Sequence, residues 1–227
     1  MALNIETLQQ LIDLFVDSCA IEVLEAGCGS ASHLSFGRAH ITGIDISKKQ
    51  LERNTNLKSR IHGNIETYDF SMSKYDIVIC WDVLEHLSSP KAALVNMFSA
   101  TAKNGLIIIA APSARSLKGM ITKFTPHWFH IWVYRYLLGN KNAGREDTAP
   151  FRTFLRNSVC PEEITKIATS HGLEVIFLDE YESSFQKKMR TFKVINFLLV
   201  SLNYVFSLFA SGKRNLMNSD FIVVLKK

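Results

Sequence analysis

Three stretches of this chain combine residue types and spacing that could do chemistry. The first is Glu25-Ala26-Gly27-Cys28-Gly29, at the end of an apolar run. Glycines at a strand-to-helix turn let a ligand approach the backbone closely and leave polar N–H groups open at the turn. The second is Gly43-Ile44-Asp45-Ile46-Ser47, where an acidic residue closes another apolar run. An acid at the tip of a second strand can accept both ribose hydroxyls, and the structural alternative for Asp45 is a helix cap. One βαβ unit apart, the two stretches point to a ribose-containing cofactor in the crevice at the strand C-termini. The third runs from Phe124 to Tyr136 and gathers six aromatics with His127 and His130. The two histidines stand one helical turn apart, so either could take a proton from a hydroxyl; the alternative is a helix packed on the sheet. Arg145, Arg152 and Arg156 follow, able to hold a substrate carboxylate or phosphate, or to form a solvated basic face.

Charge decides which cofactor suits the first crevice. A dinucleotide site wants a third glycine, whereas this run reads Gly27-Cys28-Gly29-Ser30-Ala31-Ser32. Glu25 would also repel a pyrophosphate. It suits S-adenosylmethionine, which carries a sulfonium and an ammonium.

These residues need elements to position them. Apolar runs at Ile21–Ala26, Ile41–Ile46, Arg60–His62, Tyr75–Trp81, Leu106–Ala111, Leu173–Leu178 and Asp220–Leu225 read as strands. Leu8, Leu11, Ile12 and Phe15 predict a leading amphipathic helix over residues 4–18. Ser47 caps a helix through Lys48, Leu51 and Leu57. Pro90 opens a helix with Ala93, Leu94, Met97 and Phe98, for which Gly105 is the stop, and Glu162–His171 is a further helix. The alternation predicts an α/β, Rossmann-like parallel sheet with helices on both faces. Two inserted segments interrupt it: 113–158, aromatic and basic, and 183–218, an apolar helix with basic flanks. The whole of 1–227 then reads as one domain.

The chain resembles the class I S-adenosylmethionine-dependent methyltransferases. The resemblance rests on Glu25–Gly29, Gly43–Ser47, Gly63-Asn64-Ile65-Glu66 and Tyr75–Leu87, the last ending in Val-Leu-Glu-His-Leu. It implies a seven-stranded, mostly parallel sheet whose last strand, Asp220–Leu225, is antiparallel. It further implies that Glu25, Gly27 and Gly29 line the methionine moiety, that Asp45 binds the ribose, and that Ile46 and Ile65 sandwich the adenine. Asn64 would meet the adenine amino edge, and the backbone near Cys80 and Trp81 would hold the amino group. Two departures stand out: Asn64 replaces the usual Asp, and Ala31 replaces a frequent third glycine. The short spacing from Gly29 to Asp45 suggests a shortened first helix. Glu85 and His86 either shape the pocket floor or act in catalysis, with His86 the functional member.

Composition sharpens this. The 227 residues are 47% hydrophobic, which excludes a disordered tail or a disulfide-stapled miniprotein. The net charge of +5 is uneven: residues 1–112 carry 9 Lys/Arg against 12 Asp/Glu, and residues 113–227 carry 17 against 9. Cys19, Cys28, Cys80 and Cys160 lack metal-ligand spacing and read as buried small hydrophobes, and two histidines alone call for no metal. The N-terminus shows no secretory pattern, so a cytoplasmic location, with or without peripheral membrane association, is expected. Val194–Ala210 is apolar and flanked by Lys187, Lys188, Arg190, Lys193, Lys213 and Arg214, with no acid in 184–218. Its 17 residues span about 26 Å, short of a ~30 Å hydrocarbon core, so a peripheral contact with an anionic membrane, a lid or a homodimer helix fits better than a span. The basic residues surround an apolar segment rather than a polar groove, which argues against nucleic acid.

The expectation is a methyltransferase for a small hydrophobic or lipid-linked acceptor, acting at oxygen. A polar acidic acceptor held by the arginines is the alternative enzyme reading. From another class comes a non-catalytic module that keeps the fold for cofactor binding or interaction.

Overall fold

Strands whose side chains are apolar on both faces can only be buried between two layers, and that is where the middle of this sheet lies. In a computed structural model, the described residues are 8–10, 12–13, 21–34, 36, 39–72, 74–137, 139–145, 148–154, 156, 158–209 and 216–227. Seven strands, β1 (Glu22–Ala26), β2 (His40–Asp45), β3 (Ser59–His62), β4 (Tyr75–Trp81), β5 (Thr101–Pro112), β6 (Glu174–Tyr181) and β7 (Asp220–Lys226), pair in the order β3-β2-β1-β4-β5-β7-β6. The first five run parallel, and β7 is antiparallel to both β5 and β6.

Alternate residues serve alternate faces. Leu24, Ile44, Val78, Ile107 and Val223 meet α2 (Pro90–Ala100) and α5 (Pro161–Ser170) through Leu94, Met97, Ile164 and Ala168. Val23, Ile41, Ile79, Ile108 and Ile222 meet Leu51 of α1 (Lys48–Arg53), with Leu8 and Ile12 of the leading helix. Leu11 and Phe15, also expected in that helix, lie outside the described residues, as does Cys19. Cys28, Cys80 and Cys160 are buried and unpaired.

Several boundaries differ from expectation, each for a local reason. Helix α1 stops at Arg53, before Leu57, because Arg60 takes over its end: Nε donates to the Leu51 carbonyl (2.8 Å) and Nη2 to that of Asn54 (2.8 Å). Helix α2 ends at Ala100, well before Gly105, because Thr101 donates back to the Met97 carbonyl (2.8 Å) and already pairs with Tyr75. The described residues between β1 and β2 form turns and bends rather than a shortened helix. Only 13 residues make that crossover, close to the minimum for joining parallel strands.

The stretches 113–158 and 183–218 both carry helices. Residues 113–158 carry α3 (Leu117–Phe124) and α4 (His127–Trp132), which widens into a π turn over Val133–Leu137. Residues 183–218 carry α6 (Ser184–Arg190), capped by Ser183, and α7 (Lys193–Phe209). From β1 the chain winds to one edge of the sheet, and from β4 to the other. That reversal opens a crevice at the C-terminal ends of β1 and β4.

Candidate functional site

The turn after β1 is held in left-handed backbone that glycine adopts without strain. Gly27 has φ +71°, and its N–H donates to the Ile44 carbonyl (2.8 Å). A Cβ on Gly27 would fall 2.5 Å from Val83 Cγ2, so the loop after β4 presses directly on this turn. Gly29 (φ +54°) is the opposite case: no atom of the described residues lies within 4 Å of where its Cβ would be. Its N–H donates to Asp45 Oδ2 (3.0 Å), while Asp45 Oδ1 accepts from Ser47 N–H (2.8 Å). Asp45 therefore ties the first loop to the second, and each oxygen keeps acceptor capacity.

Glu25 is buried, and its Oε2 accepts from Ser32 Oγ (2.7 Å). Burial pushes its carboxyl up and the Ser32 hydroxyl pulls it partly back. A buried carboxyl with one neutral partner gains from a nearby cation. By strand alternation Trp81 lies on the same sheet face as Glu25, and it stacks on His33 with ring centres 5.1 Å apart. Burial pushes the His33 imidazole down, toward its neutral form.

The residues expected around adenine are less alike. Ile46 is 71% exposed at the tip of β2, whereas Ile65 is buried in the core. Asn64 turns its Oδ1 to the Glu66 N–H (2.9 Å). Cys80 is buried on the face opposite Trp81, so only its backbone is on offer to the crevice.

Beyond β4 lies a group of acids of which the sequence singled out only Glu85. Asp82 (φ +54°) is exposed just past β4, yet its carboxyl is pushed up to about 6 by the surrounding protein and by Asp220, with Lys118 opposing. Glu85 is buried, with Oε2 lacking a hydrogen-bond partner among the described residues, and burial holds its carboxyl well above the usual range. Lys118 of α3 reaches both oxygens of Asp220 at 3.2 Å, and Ser219 also donates to that carboxylate. The phenols of Tyr134 and Tyr181 are pushed up first by burial and then by these carboxylates. Asp82 stood in a quoted motif and could have been found there. Lys118 and Asp220, 102 positions apart, share no local signal.

The three expected histidines come together. His86 Nδ1 is 2.9 Å from the Arg152 carbonyl, and its ring meets Phe151 edge-on at 5.9 Å. Burial pushes His86 down, the Arg152 carbonyl pulls it up, and nearby His127 lowers it further. The Phe154 N–H donates to the Glu85 carbonyl (2.8 Å), pinning residues 151–154 against the loop after β4. His127 and His130 line one cavity of about 280 Å³ with Thr122, Thr125, Arg152 and Thr153. Arg145 and Arg156 are exposed and do not line it. Among the described residues no group of three or more His, Cys, Asp or Glu is placed to hold a metal.

Comparison with known proteins bears on the family and the fold. A family model described as a methyltransferase domain matches residues 4–177. A ubiquinone biosynthesis O-methyltransferase of Rickettsia prowazekii (strain Madrid E) is 27% identical over 169 residues, 70% of this chain and 61% of that protein. This chain thus spans about three fifths of that relative's length. Magnesium protoporphyrin IX methyltransferase from Synechocystis PCC 6803, solved with bound S-adenosylmethionine, superposes with a TM-score of 0.53 at 15% identity, covering 98% of this chain and 77% of that one. An N-methyltransferase from Bradyrhizobium japonicum WM9, solved with S-adenosylhomocysteine, gives 0.52 at 14% identity, covering 98% and 86%. These two likenesses concern the fold. The family model covers most of the sheet and the whole glycine-loop crevice, and the chain is a member of the class I S-adenosylmethionine-dependent methyltransferase family.

Proposed function

We propose that this chain transfers the methyl group of S-adenosylmethionine to an oxygen of a small hydrophobic or lipid-linked acceptor. The observation that carries the reading is the pairing of an open glycine loop, tied down by Asp45, with a buried Glu25 whose carboxyl accepts from the neutral Ser32 hydroxyl. The open space over Gly29 and the carboxyls of Glu25 and Asp82 fit a cationic nucleoside donor. Glu25, Gly27 and Gly29 would hold its methionine end, Asp45 the ribose, Ile46, Asn64 and Ile65 the adenine, and the Cys80–Trp81 backbone the amino group. When bound, S-adenosylmethionine supplies a methyl group on a positively charged sulfur, ready for in-line displacement. The chain's own work is to align the acceptor, exclude water and take up its proton. His127 is the leading group for that proton, with His130 and His86 beside it. A relative named as an O-methyltransferase of ubiquinone biosynthesis supports oxygen and a lipid-linked acceptor.

Calorimetry of S-adenosylmethionine binding between pH 5 and 8 tests the donor site. A cation binds the ionised form of Asp82 better, and that carboxyl is half protonated near pH 6. Affinity is therefore expected to be full above about pH 7 and to fall several-fold as pH drops through 6. Asp82→Asn should flatten the profile. Absence of binding at every pH would remove the function.

Helix α7 supplies a second part of the reading. Its Asn196 faces the protein, accepting from Arg190 Nε (2.8 Å), and Asn203 on the same stripe has a buried Oδ1. The apolar residues face outward, with Phe197 71% and Tyr204 65% exposed. An amphipathic helix turned this way needs a cover, and the exposed Lys187, Lys188 and Lys193 beside it favour anionic lipid. Arg190 does not join them, because it is held by Glu182 (2.8 Å) and Asn196. Among the described residues no helix is long and apolar enough to cross a membrane. The chain is expected to sediment with anionic liposomes, and neutralising the three lysines should release most of it. If both forms stay in the supernatant, α7 is instead a lid or the contact between two copies.

A further inference from the structure

The cavity beside the histidines differs in character from the rest of the crevice. Asp82, Glu85 and Asp220 gather at the end of β4 and the start of β7, a setting for positive charge. The cavity walls are three threonines, two histidines and one arginine, with no carboxylate among them. Two short links join these regions: the His86 contact to the Arg152 carbonyl and the Phe154 bond to the Glu85 carbonyl. An acceptor spanning the crevice would thus meet acid at the donor end and hydrogen-bond donors at the far end.

We propose that this cavity holds a phosphoryl group carried by the acceptor, an inference that rests on the methyltransferase reading and narrows its substrate class. The Arg152 guanidinium offers a planar fork of N–H donors suited to paired oxygens. Thr122 adds a hydroxyl and His127 a ring N–H, while Thr153, whose Oγ1 donates to the Phe151 carbonyl (3.4 Å), is a weaker contributor at the wall. Thr125 Oγ1 lies 2.8 Å from His130 Nε2 and also reaches the Thr122 carbonyl (3.3 Å). The contact with Thr125 fixes the His130 ring at the cavity wall. His127, near His86, is left for the reacting hydroxyl.

Donor placement and space favour phosphoryl over carboxylate. The Arg152 fork, the Thr122 hydroxyl and the His127 ring reach one cavity from three separate segments, which suits the three terminal oxygens of a phosphoryl group better than the two coplanar oxygens of a carboxylate. A cavity of about 280 Å³ also holds more than a carboxylate, leaving room for the atoms next to phosphorus. The phosphoryl group can belong to a soluble phosphomonoester or to a phospholipid-like acceptor, since both present the same oxygens.

The test uses the full chain and four probes: glycerol 3-phosphate, inorganic phosphate, vesicles containing phosphatidic acid, and benzoate as a carboxylate. Binding is measured for wild type, Arg152→Gln and Thr153→Val, with S-adenosylhomocysteine binding recorded on the same samples. We expect glycerol 3-phosphate or the phosphatidic-acid vesicles to bind wild type and to lose about tenfold to a hundredfold in affinity in Arg152→Gln, with a smaller loss in Thr153→Val. The probe that shows the Arg152-dependent loss identifies the source as soluble or lipid-borne. Benzoate binding as tightly as glycerol 3-phosphate would overturn the proposal. So would inorganic phosphate alone binding, or no probe depending on Arg152. If S-adenosylhomocysteine binds while the phosphoryl probes do not, this inference fails and the methyltransferase reading stands; the reverse result separates them the other way.

Discussion

Asp45→Ala is expected to weaken S-adenosylhomocysteine binding about a hundredfold, read by calorimetry at neutral pH. The carboxylate accepts from Gly29 N–H at 3.0 Å and from Ser47 N–H at 2.8 Å, joining the two loops between which the cofactor must lie. Removing it frees the Gly29 turn, whose left-handed backbone has no side chain to hold it, and deletes the acceptor for the ribose hydroxyls. A hydrogen bond to a charged group contributes about 1.5–3 kcal/mol, and a hundredfold in affinity corresponds to about 2.7 kcal/mol. One lost ribose contact plus loop disorder accounts for that. Asp45→Asn keeps one carbonyl oxygen and should lose less, about tenfold. Unfolding in urea should shift only modestly in both, because Asp45 is not in the core. If Asp45→Ala binds within twofold of wild type, Asp45 is a loop tie and nothing more.

This residue also marks how far a sequence can be read. Asp45 and the glycine loop were legible because their spacing is local: a strand, a turn and the next strand tip follow one another in the chain. The central strands were legible because burial on both faces leaves continuous apolar runs, as in Val78–Cys80 or Leu106–Ala111. Contacts made by topology were not. Lys118 meets Asp220 only because β7 slots beside β5, and His86 meets Arg152 across 66 positions. The cavity that gathers His127, His130 and Arg152 depends on Phe154 being pinned to the loop after β4. Helix boundaries moved wherever a side chain from elsewhere took the last carbonyls, as Arg60 does for α1. Asn196 and Asn203 stand seven positions apart on one stripe of α7, yet nothing in that spacing says that the stripe turns inward and Phe197 and Tyr204 outward.

His127→Ala is expected to lower methyl transfer by about 10²–10⁴-fold while leaving S-adenosylhomocysteine affinity within threefold. The measurement is labelled methyl incorporation from S-adenosylmethionine in a screen of lipid extracts and phenolic acids. Displacement at an oxygen leaves a proton on that oxygen, and a neutral imidazole in the cavity can accept it as the new bond forms. His127 lines the cavity and stands near enough to His86, in the loop after β4, to depress its protonation. His130 is held by Thr125 at 2.8 Å, and His86 is held by the Arg152 carbonyl at 2.9 Å. Those bonds restrict both rings, and their alanine variants should cost less than His127→Ala. A purely structural loss would lower turnover and cofactor affinity together. A spectroscopic readout adds a second check: without His127 the His86 imidazole loses a like-charged neighbour, so its NMR titration midpoint should move up. An unmoved His86 midpoint would mean that the two rings are not adjacent in solution. Unchanged turnover in His127→Ala would pass the proton to His130 or to water and remove the base assigned here.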